Sequence, residues 1–339
     1  MESLLVTGAT GFVGRNLILR ELRQGTRIFA PVRDAKKLRG QLESEGIDPN
    51  SVLPLPADPA AWLDCTPSHA VLSAGVLFAR NREEYFRTNV EWTLQAIEAL
   101  PEKCRITVLS SQSAGGPTPY GIASRCESVA DSPVTWYGES KLELERAIIK
   151  NFRDRPITIL RPPMILGPRD SATLPLFKMA SGLLRTKPGL RKKHFSFLSV
   201  DDTVEAIRAS WNAPTGRPFY ISSEKTITDT ELIASAAKAA RAAGVTLPVP
   251  LAFVKAMSLV IDSVPALRRS APSLTRDRAR EIWPDRWVVD SSAFRSATGW
   301  KSTQNLDEAL SAAHAHYVRE GSLPAGKKNS PHLAPAQGD

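Results

Sequence analysis

The stretch Leu4-Leu5-Val6-Thr7-Gly8-Ala9-Thr10-Gly11-Phe12-Val13-Gly14 decides the fold of this chain. An apolar run leads into three glycines and then into a helical pattern over residues 12–24. In such a strand–turn–helix unit, the free N–H groups at the helix N-terminus attract a phosphate. Gly8 permits the tight turn, Gly11 lets a pyrophosphate approach the backbone, and Gly14 lets the helix pack on the strand. The stretch predicts a dinucleotide-binding unit, and a glycine-rich turn of another α/β protein is the alternative.

Strand and helix patterns alternate through the first half of the chain. Apolar runs recur at residues 4–6, 28–32, 52–55, 70–73, 106–109 and 157–160. Amphipathic helical patterns lie between them and are clearest at residues 83–100 and 138–152. The alternation predicts an α/β fold with a doubly wound parallel sheet, in the strand order 3-2-1-4-5-6. Ligands of such sheets bind at the carboxyl ends of the strands, so we expect the site in the loops that follow these runs.

Beyond Arg161, prolines and glycines interrupt the pattern, which predicts a smaller C-terminal lobe for the substrate. We expect helices at residues 174–184, 228–243 and 305–318, and a further helix that begins at residue 201. We expect strands at residues 195–200 and 218–222. Residues 251–264 are strongly apolar, and we expect a packed helix of the lobe there rather than a membrane-surface anchor.

These patterns also predict how the chain is divided. We assign residues 1–165 to a dinucleotide-binding domain, to which residues 195–225 return. The substrate-binding lobe then comprises residues 166–194 and 226–320. Residues 321–339 are rich in Pro, Gly, Lys and Ser, and we expect a disordered tail.

The composition is that of a soluble globular protein, because 42% of the 339 residues are hydrophobic and 23% are charged. With no apolar run of roughly 18–20 residues and no segment before the first strand to serve as a signal peptide, we expect a cytoplasmic protein. Cys65, Cys104 and Cys126 lack C-x-x-C spacing, so we expect reduced thiols and no metal site.

The net charge of +9 suits an anionic substrate, a cofactor phosphate, a membrane surface or simply a basic solvated surface. As partners we expect a small-molecule substrate, no nucleic acid and at most weak contact with a membrane surface. We expect the protein to be a monomer or a homodimer.

Tyr137 and Lys141 are the candidate catalytic pair. They occupy positions i and i+4 of a predicted helix, so both side chains can point at the same ligand. A tyrosine hydroxyl has a pKa of about 10, and a neighbouring lysine cation lowers that pKa toward neutrality. A third group is expected in the loop after residues 106–109, where Ser110, Ser111 or Ser113 can donate a hydrogen bond to a substrate carbonyl oxygen.

Several motifs, read together, resemble the extended short-chain dehydrogenases/reductases, the NAD-dependent epimerase/dehydratase superfamily. The main ones are Thr7–Gly14, Ser110-Ser111, Tyr137-x-x-x-Lys141 and Arg161-Pro162-Pro163-x-x-x-Gly167-Pro168. Others are Asp58, Ser73-Ala74-Gly75, Thr88-Asn89-Val90 and Val200-Asp201-Asp202. The match runs from about residue 3 to 320 and is closest in pattern to 3β-hydroxysteroid dehydrogenases and dihydroflavonol reductases. It implies a Rossmann-type sheet and a dinucleotide-dependent oxidoreductase.

The resemblance also implies roles for single residues. Ser111 takes the place of the catalytic serine, counted back from Gly116-Pro117, with Ser110 and Ser113 as alternatives. Asn89 is implied to support the helix that carries the active site, and a capping role is equally compatible with the sequence. The implied cofactor contacts are Gly8, Thr10, Gly11, Phe12, Val13, Gly14, Arg33, Lys37, Asp58, Ser73, Ala74, Gly75, Tyr137, Lys141, Pro163 and Met164.

The end of the second strand indicates the cofactor. An NAD enzyme of this fold usually has a carboxylate there, which accepts hydrogen bonds from the ribose 2′-OH. Here the position is Val32, about 18 residues after Gly14, and Arg33 follows it. Arginine offers a planar fork that matches a phosphate, and Val32-Arg33-Asp34 is similar to the run in dihydroflavonol reductases, which use NADPH. We therefore favour NADP(H), with NAD(H) as the alternative if Asp34 turns inward.

Two substrate classes compete within the family. Nucleotide-sugar epimerases and dehydratases contact a diphosphate through an asparagine and an arginine, whose positions correspond here to Met164 and Phe195. Because a buried, unpaired diphosphate is costly, these apolar residues disfavour a nucleotide sugar. The basic run Arg191-Lys192-Lys193 is near enough in sequence to keep that class open.

An apolar substrate fits the remaining residues better. Pro163, Met164, Phe195, Phe197 and residues 251–264 can surround a steroid-, flavonoid- or lipid-like skeleton. We therefore expect hydride transfer between nicotinamide and a ketone or secondary alcohol of a largely apolar substrate. The alternatives are a nucleotide-sugar epimerase or dehydratase and a non-catalytic dinucleotide-binding redox sensor. A sensor needs no proton donor, so the Ser–Tyr–Lys set argues against it.

Overall fold

The computed structural model describes residues 3–62, 65–271 and 274–324. Its strands are β1 (Ser3–Thr7), β2 (Arg27–Pro31), β3 (Val52–Leu55), β4 (His69–Leu72), β5 (Arg105–Leu109), β6 (Ile157–Arg161), β7 (Met164–Leu166), β8 (Leu184–Pro188), β9 (His194–Phe195), β10 (Phe197–Ser199), β11 (Pro218–Tyr220), β12 (Ile227–Thr228), β13 (Val245–Val249) and β14 (Arg286–Trp287). Its helices are α1 (Phe12–Leu22), α2 (Ala35–Glu43), α3 (Arg82–Phe86), α4 (Trp92–Ala99), α5 (Gln112–Gly115), α6 (Trp136–Asn151), α7 (Leu174–Ala180), α8 (Val200–Ala209), α9 (Asp229–Ala239), α10 (Leu251–Ser263), α11 (Pro265–Ser270), α12 (Ser292–Thr298) and α13 (Leu306–Arg319).

The central sheet, within these described residues, has seven strands in the order β11-β6-β5-β4-β1-β2-β3. All neighbouring strands in it are parallel. This confirms the predicted α/β fold and the order 3-2-1-4-5-6, which β11 extends beyond β6. Because the strands are parallel, the carboxyl ends of β1, β4, β5 and β6 lie along one edge of the sheet.

Alternation of side chains along the strands explains why helices cover both faces. Leu4 and Val6 of β1 pack in one buried cluster, with Leu17 of α1 and Ile207 of α8. Leu5 points to the opposite face, into a cluster that includes Ile97 of α4 and residues of α6. Strands buried on both faces are typical of parallel sheets and account for the continuous apolar runs of the sequence.

The C-terminal lobe has its own core and small sheets. Phe177 of α7, Ala236 of α9 and Leu310 of α13 belong to one buried cluster. In the part of the chain that the structure describes, β7 pairs with β10, β8 pairs with β13, and β9 lies between β12 and β14. Helices α9 and α13 both begin with a capping box, in which Thr228 and Asn305 are the N-cap residues.

Two predicted elements beyond Arg161 differ in the structure. The strand predicted at 195–200 is broken at Ser196, whose N–H donates to the Trp287 carbonyl, so β9 and β10 join different sheets. The helix predicted at 174–184 ends at Ala180, and the chain then enters β8. Gly182 follows that helix, and β8 pairs with β13, a strand for which we made no prediction.

Helix α10 is present as predicted, but its packing is not as expected. Ser258 and Ile261 are its buried residues, and most of its apolar side chains are exposed. No described helix is both long enough and apolar enough to cross a bilayer. Of the predicted tail, residues 325–339 lie outside the described residues.

Candidate active site

The glycine-rich turn has the geometry that a pyrophosphate requires. Gly8 has a φ of 70°, a left-handed conformation that favours glycine, and its carbonyl accepts the N–H of Gly11 at 2.8 Å. A Cβ on Gly14 would lie 2.3 Å from the Gly8 oxygen, so only glycine lets α1 approach the turn this closely. Gly11 is the N-cap of α1 and supplies no side-chain cap, so the first-turn N–H groups remain available to an anion. These residues fit a dinucleotide.

Hydrogen bonds connect the carboxyl ends of β1 and β4 next to this turn. The Ser73 hydroxyl donates to the Thr7 carbonyl at 2.6 Å, and the Ala74 N–H donates to the Thr7 hydroxyl at 3.1 Å. A Cβ on Gly75 would lie 3.0 Å from Asn89 Oδ1 and 3.5 Å from Lys141 Nζ. The loop after β4 therefore runs close to the candidate catalytic residues.

The residues expected at the adenosine end are at the surface. The side chains of Arg33 and Lys37 are exposed after β2, and Val32 packs against the core. Asp34 is the N-cap of α2, where its carboxylate accepts the Lys37 N–H at 3.0 Å. The Asp34 carboxylate is thus engaged in capping rather than turned inward.

Two other expected cofactor contacts are also engaged within the chain. The exposed carboxylate of Asp58 accepts the Ala60 N–H at 3.1 Å. Thr10, nearby, accepts a hydrogen bond on its carbonyl from Gln41.

Tyr137, Lys141 and Ser111 line one cleft of about 460 Å³. Tyr137 and Lys141 lie in the first turns of α6, which Thr135 caps by accepting the Gly138 N–H at 3.2 Å. The buried Lys141 Nζ donates to the Leu109 carbonyl, at the end of β5, at 2.9 Å. Other predicted contacts in the cleft lining are Phe12, Val13, Ser73, Gly75, Pro163 and Met164.

The structure distinguishes the three candidate serines. Ser110 donates a very short hydrogen bond to Glu145, which is itself paired with Arg161, so its hydroxyl belongs to a buried network. Ser111 caps α5 by accepting the Ser113 N–H at 3.1 Å, and its side chain lowers the pKa of Tyr137. Ser111 is therefore the candidate serine whose side chain acts on the phenol.

Asn89 connects the loop after β4 to α6. It is fully buried in a π-helical turn between α3 and α4. Its Oδ1 accepts the Val76 N–H at 2.8 Å, and its Nδ2 donates to the Val76 carbonyl at 3.2 Å and to Ser140 Oγ at 3.0 Å. Because Ser140 lies between Tyr137 and Lys141, these contacts fix the helix that carries the pair. Asn89 is not the N-cap of this turn.

Burial shifts the pKa values of both Tyr137 and Lys141. Loss of solvation raises the pKa of Tyr137 to about 12, and the Arg278 guanidinium and the Ser111 hydrogen bond oppose this rise. Loss of solvation lowers the pKa of Lys141 to about 8, against the influence of Glu145. Burial therefore disfavours the charged forms of both side chains, and the phenol is neutral at neutral pH.

Arg278 and Glu281 are site residues that the sequence reasoning missed. They belong to residues 274–282 of the C-terminal lobe, which we call the strap. The Arg278 Cζ lies 5.2 Å from the centroid of the Tyr137 ring, and its guanidinium pairs with Glu281 at 2.8 Å. Glu281 accepts the Thr135 hydroxyl, and Asp277 accepts the Trp136 N–H, so the strap is docked on the start of α6. No local pattern marks the run Thr275–Arg280 as part of a site.

Two further cavities adjoin the strap. An apolar one of about 520 Å³ lies among α7, α9 and α10, and its lining includes Leu176, Phe195, Ile233, Val254, Met257, Leu274 and Ile282. A polar one, also about 520 Å³, is lined by Arg268, Arg276, Arg278 and Arg280 together with Asp262 and Asp277. The strap thus presents Arg278 and Glu281 to the candidate catalytic cleft, and Leu274 and Ile282 to the apolar cavity.

Comparison with known proteins agrees with this architecture. The model of the NAD dependent epimerase/dehydratase family matches residues 4–221, which confirms the family resemblance of the motifs. A UDP-glucuronic acid 4-epimerase from Bacillus cereus, solved with UDP-glucuronic acid and NAD, superposes with a TM-score of 0.70 at 17% identity, over 94% of this chain and 99% of its own. At that identity the superposition shows a shared fold.

The curated relatives act on different classes of molecule. A dTDP-6-deoxy-L-talose 4-dehydrogenase (NAD(P)(+)) from Kitasatospora kifunensis is 30% identical over 60% of this chain and 67% of its own. A ceramide reductase from Caulobacter vibrioides is 25% identical over 94% of this chain and 95% of its own. A putative dihydroflavonol 4-reductase from Synechocystis is 26% identical over 62% of this chain and 63% of its own, in agreement with the resemblance to that group.

Proposed function

Because this chain belongs to the NAD dependent epimerase/dehydratase family, we propose that it is a nicotinamide-dependent oxidoreductase. In this proposal, hydride passes between the dinucleotide and a ketone or secondary alcohol of a largely apolar substrate. The observation that carries the proposal is the placement of Ser111, Tyr137 and Lys141 in one cleft, separated by the strap from an apolar cavity.

The dinucleotide supplies or accepts the hydride when it is bound. The helix N–H groups of the turn Gly8–Gly14 would hold its phosphates, and the residues after β2 would hold its adenosine end. We propose that Arg33 and Lys37 recognise a 2′-phosphate, so that NADP(H) is preferred to NAD(H). Two observations support this preference: both side chains are exposed, and the Asp34 carboxylate is engaged by the Lys37 N–H.

The proton moves through Tyr137. Hydride addition to a ketone leaves negative charge on oxygen, and a positioned acid that protonates this oxygen stabilises the transition state. The phenol is protonated at neutral pH, as its raised pKa requires, and it can donate to that oxygen. In our proposal the Ser111 hydroxyl donates a second hydrogen bond to the same oxygen, and the buried Lys141 ammonium favours the phenolate that is left.

An apolar, lipid-like substrate has the strongest support. Met164 lines the cleft and Phe195 lines the apolar cavity, at the two positions where a diphosphate-binding relative would have polar contacts. Burying an alkyl chain in such a cavity stabilises the complex by about 0.8 kcal/mol per methylene group. The ceramide reductase, which is matched over nearly its whole length, supports the same class of substrate.

A nucleotide sugar is the second candidate. The polar cavity beside the strap is lined by four arginines and two aspartates, and guanidinium groups are the preferred partners of phosphates. The dTDP-6-deoxy-L-talose 4-dehydrogenase supports this alternative.

A substrate panel distinguishes the two. The purified protein and NADPH are offered long-chain aliphatic ketones, steroid ketones, aryl ketones, and UDP- and dTDP-sugars. We expect net oxidation of NADPH with apolar ketones and none with the sugars. Conversion of a nucleotide sugar without net change in the cofactor would place the protein among the epimerases and overturn the proposal.

A further inference from the structure

Helices α10 and α11 expose an apolar surface that no described part of the chain covers. Phe253 is 57% exposed, Val260 56% and Leu259 47%, while Ser258 and Ile261 are the buried residues of α10. A helix on the surface of a globular protein normally turns such side chains toward the core. Contiguous apolar surface of this kind marks an interaction site.

The surface contains a groove as well as a face. A cavity of about 400 Å³ lies between α10 and α11, and each residue that lines it is apolar: Phe253, Ala256, Met257, Val260, Ile261, Leu267, Ala271 and Leu274. Phe253, Met257 and Leu274 also line the apolar cavity next to the strap. The exposed surface is therefore continuous with the inside of the lobe.

Basic residues lie near the start of α10. Gly189 lies close to the start of this helix, because a Cβ on Gly189 would be 3.4 Å from Leu251 Cγ. Leu190, which is 74% exposed, and the exposed Arg191 and Lys192 follow Gly189 in the chain. On the helix itself, Lys255 is exposed.

The other end of α10 carries an acid that is already engaged. Asp262 accepts the Arg276 N–H at 3.0 Å and lies 3.9 Å from Arg268, so its charge is offset by that arginine. An apolar face bordered by cations is the pattern of a helix that lies in the headgroup region of an anionic bilayer.

We propose that α10 and α11 are a membrane-docking surface for a bilayer that contains anionic lipid. The helices would lie in the interface, because α10 has 13 residues and is too short to span the hydrocarbon core. The charges favour a bilayer over a second copy of the chain. A two-fold self-contact through this surface would bring two copies of Arg191, Lys192 and Lys255 into one interface, whereas an anionic bilayer offsets their charge.

Docking would place the opening of the apolar cavity against the membrane. A lipid-like ketone could then pass from the bilayer into the lobe without crossing water. This consequence rests on the proposed function, whereas the docking itself does not, and it can be tested without substrate or cofactor.

Flotation of the full chain with vesicles tests the proposal. The vesicles are phosphatidylcholine alone, and phosphatidylcholine with phosphatidylglycerol, each at low and high salt. We expect the protein to float with the anionic vesicles at low salt and to be partly released by high salt. The double variant Phe253→Glu/Val260→Glu should bind these vesicles at least about tenfold more weakly, because it places two carboxylates in the apolar face.

Two further variants keep the test decisive. Tyr120→Glu changes a fully exposed aromatic residue outside the surface and should float like the wild type. Lys255→Glu leaves the apolar side chains in place, so it should weaken binding to anionic vesicles even if the double variant fails to fold. The proposal is overturned if the wild type floats with neither vesicle. It is also overturned if sedimentation velocity shows a dimer that Phe253→Glu/Val260→Glu dissociates.

Discussion

Tyr137 shares its cleft with two basic side chains, those of Lys141 and Arg278. Lys141 is four residues further along the same helix and directs its Nζ to the Leu109 carbonyl. Arg278 comes from the strap and lies over the face of the ring, 5.2 Å from its centroid. The sequence predicts Lys141 as the cation that lowers the pKa of Tyr137. In the structure, the foremost charge that lowers this pKa is that of Arg278.

Replacing Arg278 should therefore change the pH dependence of the reaction. In Arg278→Leu the guanidinium charge that lowers the pKa of Tyr137 is gone, so this pKa rises further and less phenolate is present at any given pH. Alcohol oxidation requires the phenolate as base, so its pH–rate profile should move to higher pH, by up to about tenfold in rate per pKa unit. Arg276→Leu, a neighbouring arginine of the strap, serves as the control. An unchanged profile in Arg278→Leu would show that the guanidinium does not act on the phenol.

Arg33 is expected to select the cofactor. Removing its guanidinium in Arg33→Ala takes away a hydrogen-bonding partner of the 2′-phosphate, a group that NADH lacks. Hydrogen bonds to charged groups contribute about 1.5–3 kcal/mol, which corresponds to about 10- to 100-fold weaker NADPH binding with NADH binding unchanged. Fluorescence titration measures both affinities, and Arg39→Ala, an exposed arginine of α2, is the matched control. Equal loss for both cofactors would contradict the role of Arg33.

At the scale of elements, the contact between α1 and the turn before it should tolerate no side chain at Gly14. A Cβ there would meet the Gly8 carbonyl oxygen at 2.3 Å, so Gly14→Ala must push the helix away from the turn. Gly40 in α2 has nothing within 4 Å of a notional Cβ, so Gly40→Ala should be neutral or stabilising by about 0.5–1 kcal/mol. We expect Gly14→Ala to destabilise the fold and weaken NADPH binding, as measured by urea unfolding and titration. If the two variants behaved alike, the close approach of α1 would not matter.

A buried charge network joins β6 to its neighbours. Arg161, at the end of β6, donates to Glu145 of α6 at 2.5 Å, to Asp131 at 2.8 Å and to the Tyr220 hydroxyl at 3.0 Å. Glu145 also accepts the Ser110 hydroxyl, so the network reaches the loop before Ser111.

Removing Arg161 should be strongly destabilising, because the buried Glu145 carboxylate would lose its partner. Breaking a buried pair in this way costs about 3–5 kcal/mol, so urea unfolding of Arg161→Met should show a loss of that order. The pair between Arg20 and Glu205 is about 40% and 46% exposed and provides the control. Arg20→Ala should cost less than about 1 kcal/mol. Similar losses in the two variants would mean that burial of the network has no energetic consequence.

At the scale of the whole molecule, the strap makes the C-terminal lobe part of the candidate catalytic cleft. Arg278 and Glu281 of the strap contact Tyr137 and Thr135, respectively. Its apolar side chains, Leu274 and Ile282, line the apolar cavity. The strap therefore lies between the cleft that holds Tyr137 and the apolar cavity.

The sequence could predict those parts of the site that depend on local spacing. The turn Gly8–Gly14 and the pair Tyr137 and Lys141 are set by the positions of a few residues within one element, and the sheet order follows from alternating patterns. Arg278 could not be predicted, because its place beside Tyr137 depends on how the strap docks on α6. The same holds for the exposure of α10, since its periodicity predicts a helix but not whether a neighbour covers it.

We propose that Tyr137 protonates an apolar ketone as the cofactor reduces it. The most direct test compares the rate of NADPH oxidation by the wild type and Tyr137→Phe with the most active ketone of the panel. Because the variant lacks only the phenolic hydroxyl, we expect turnover to fall by about 10²–10⁴-fold while NADPH affinity stays nearly unchanged. Full activity of Tyr137→Phe on any ketone that the wild type reduces would show that another group donates the proton.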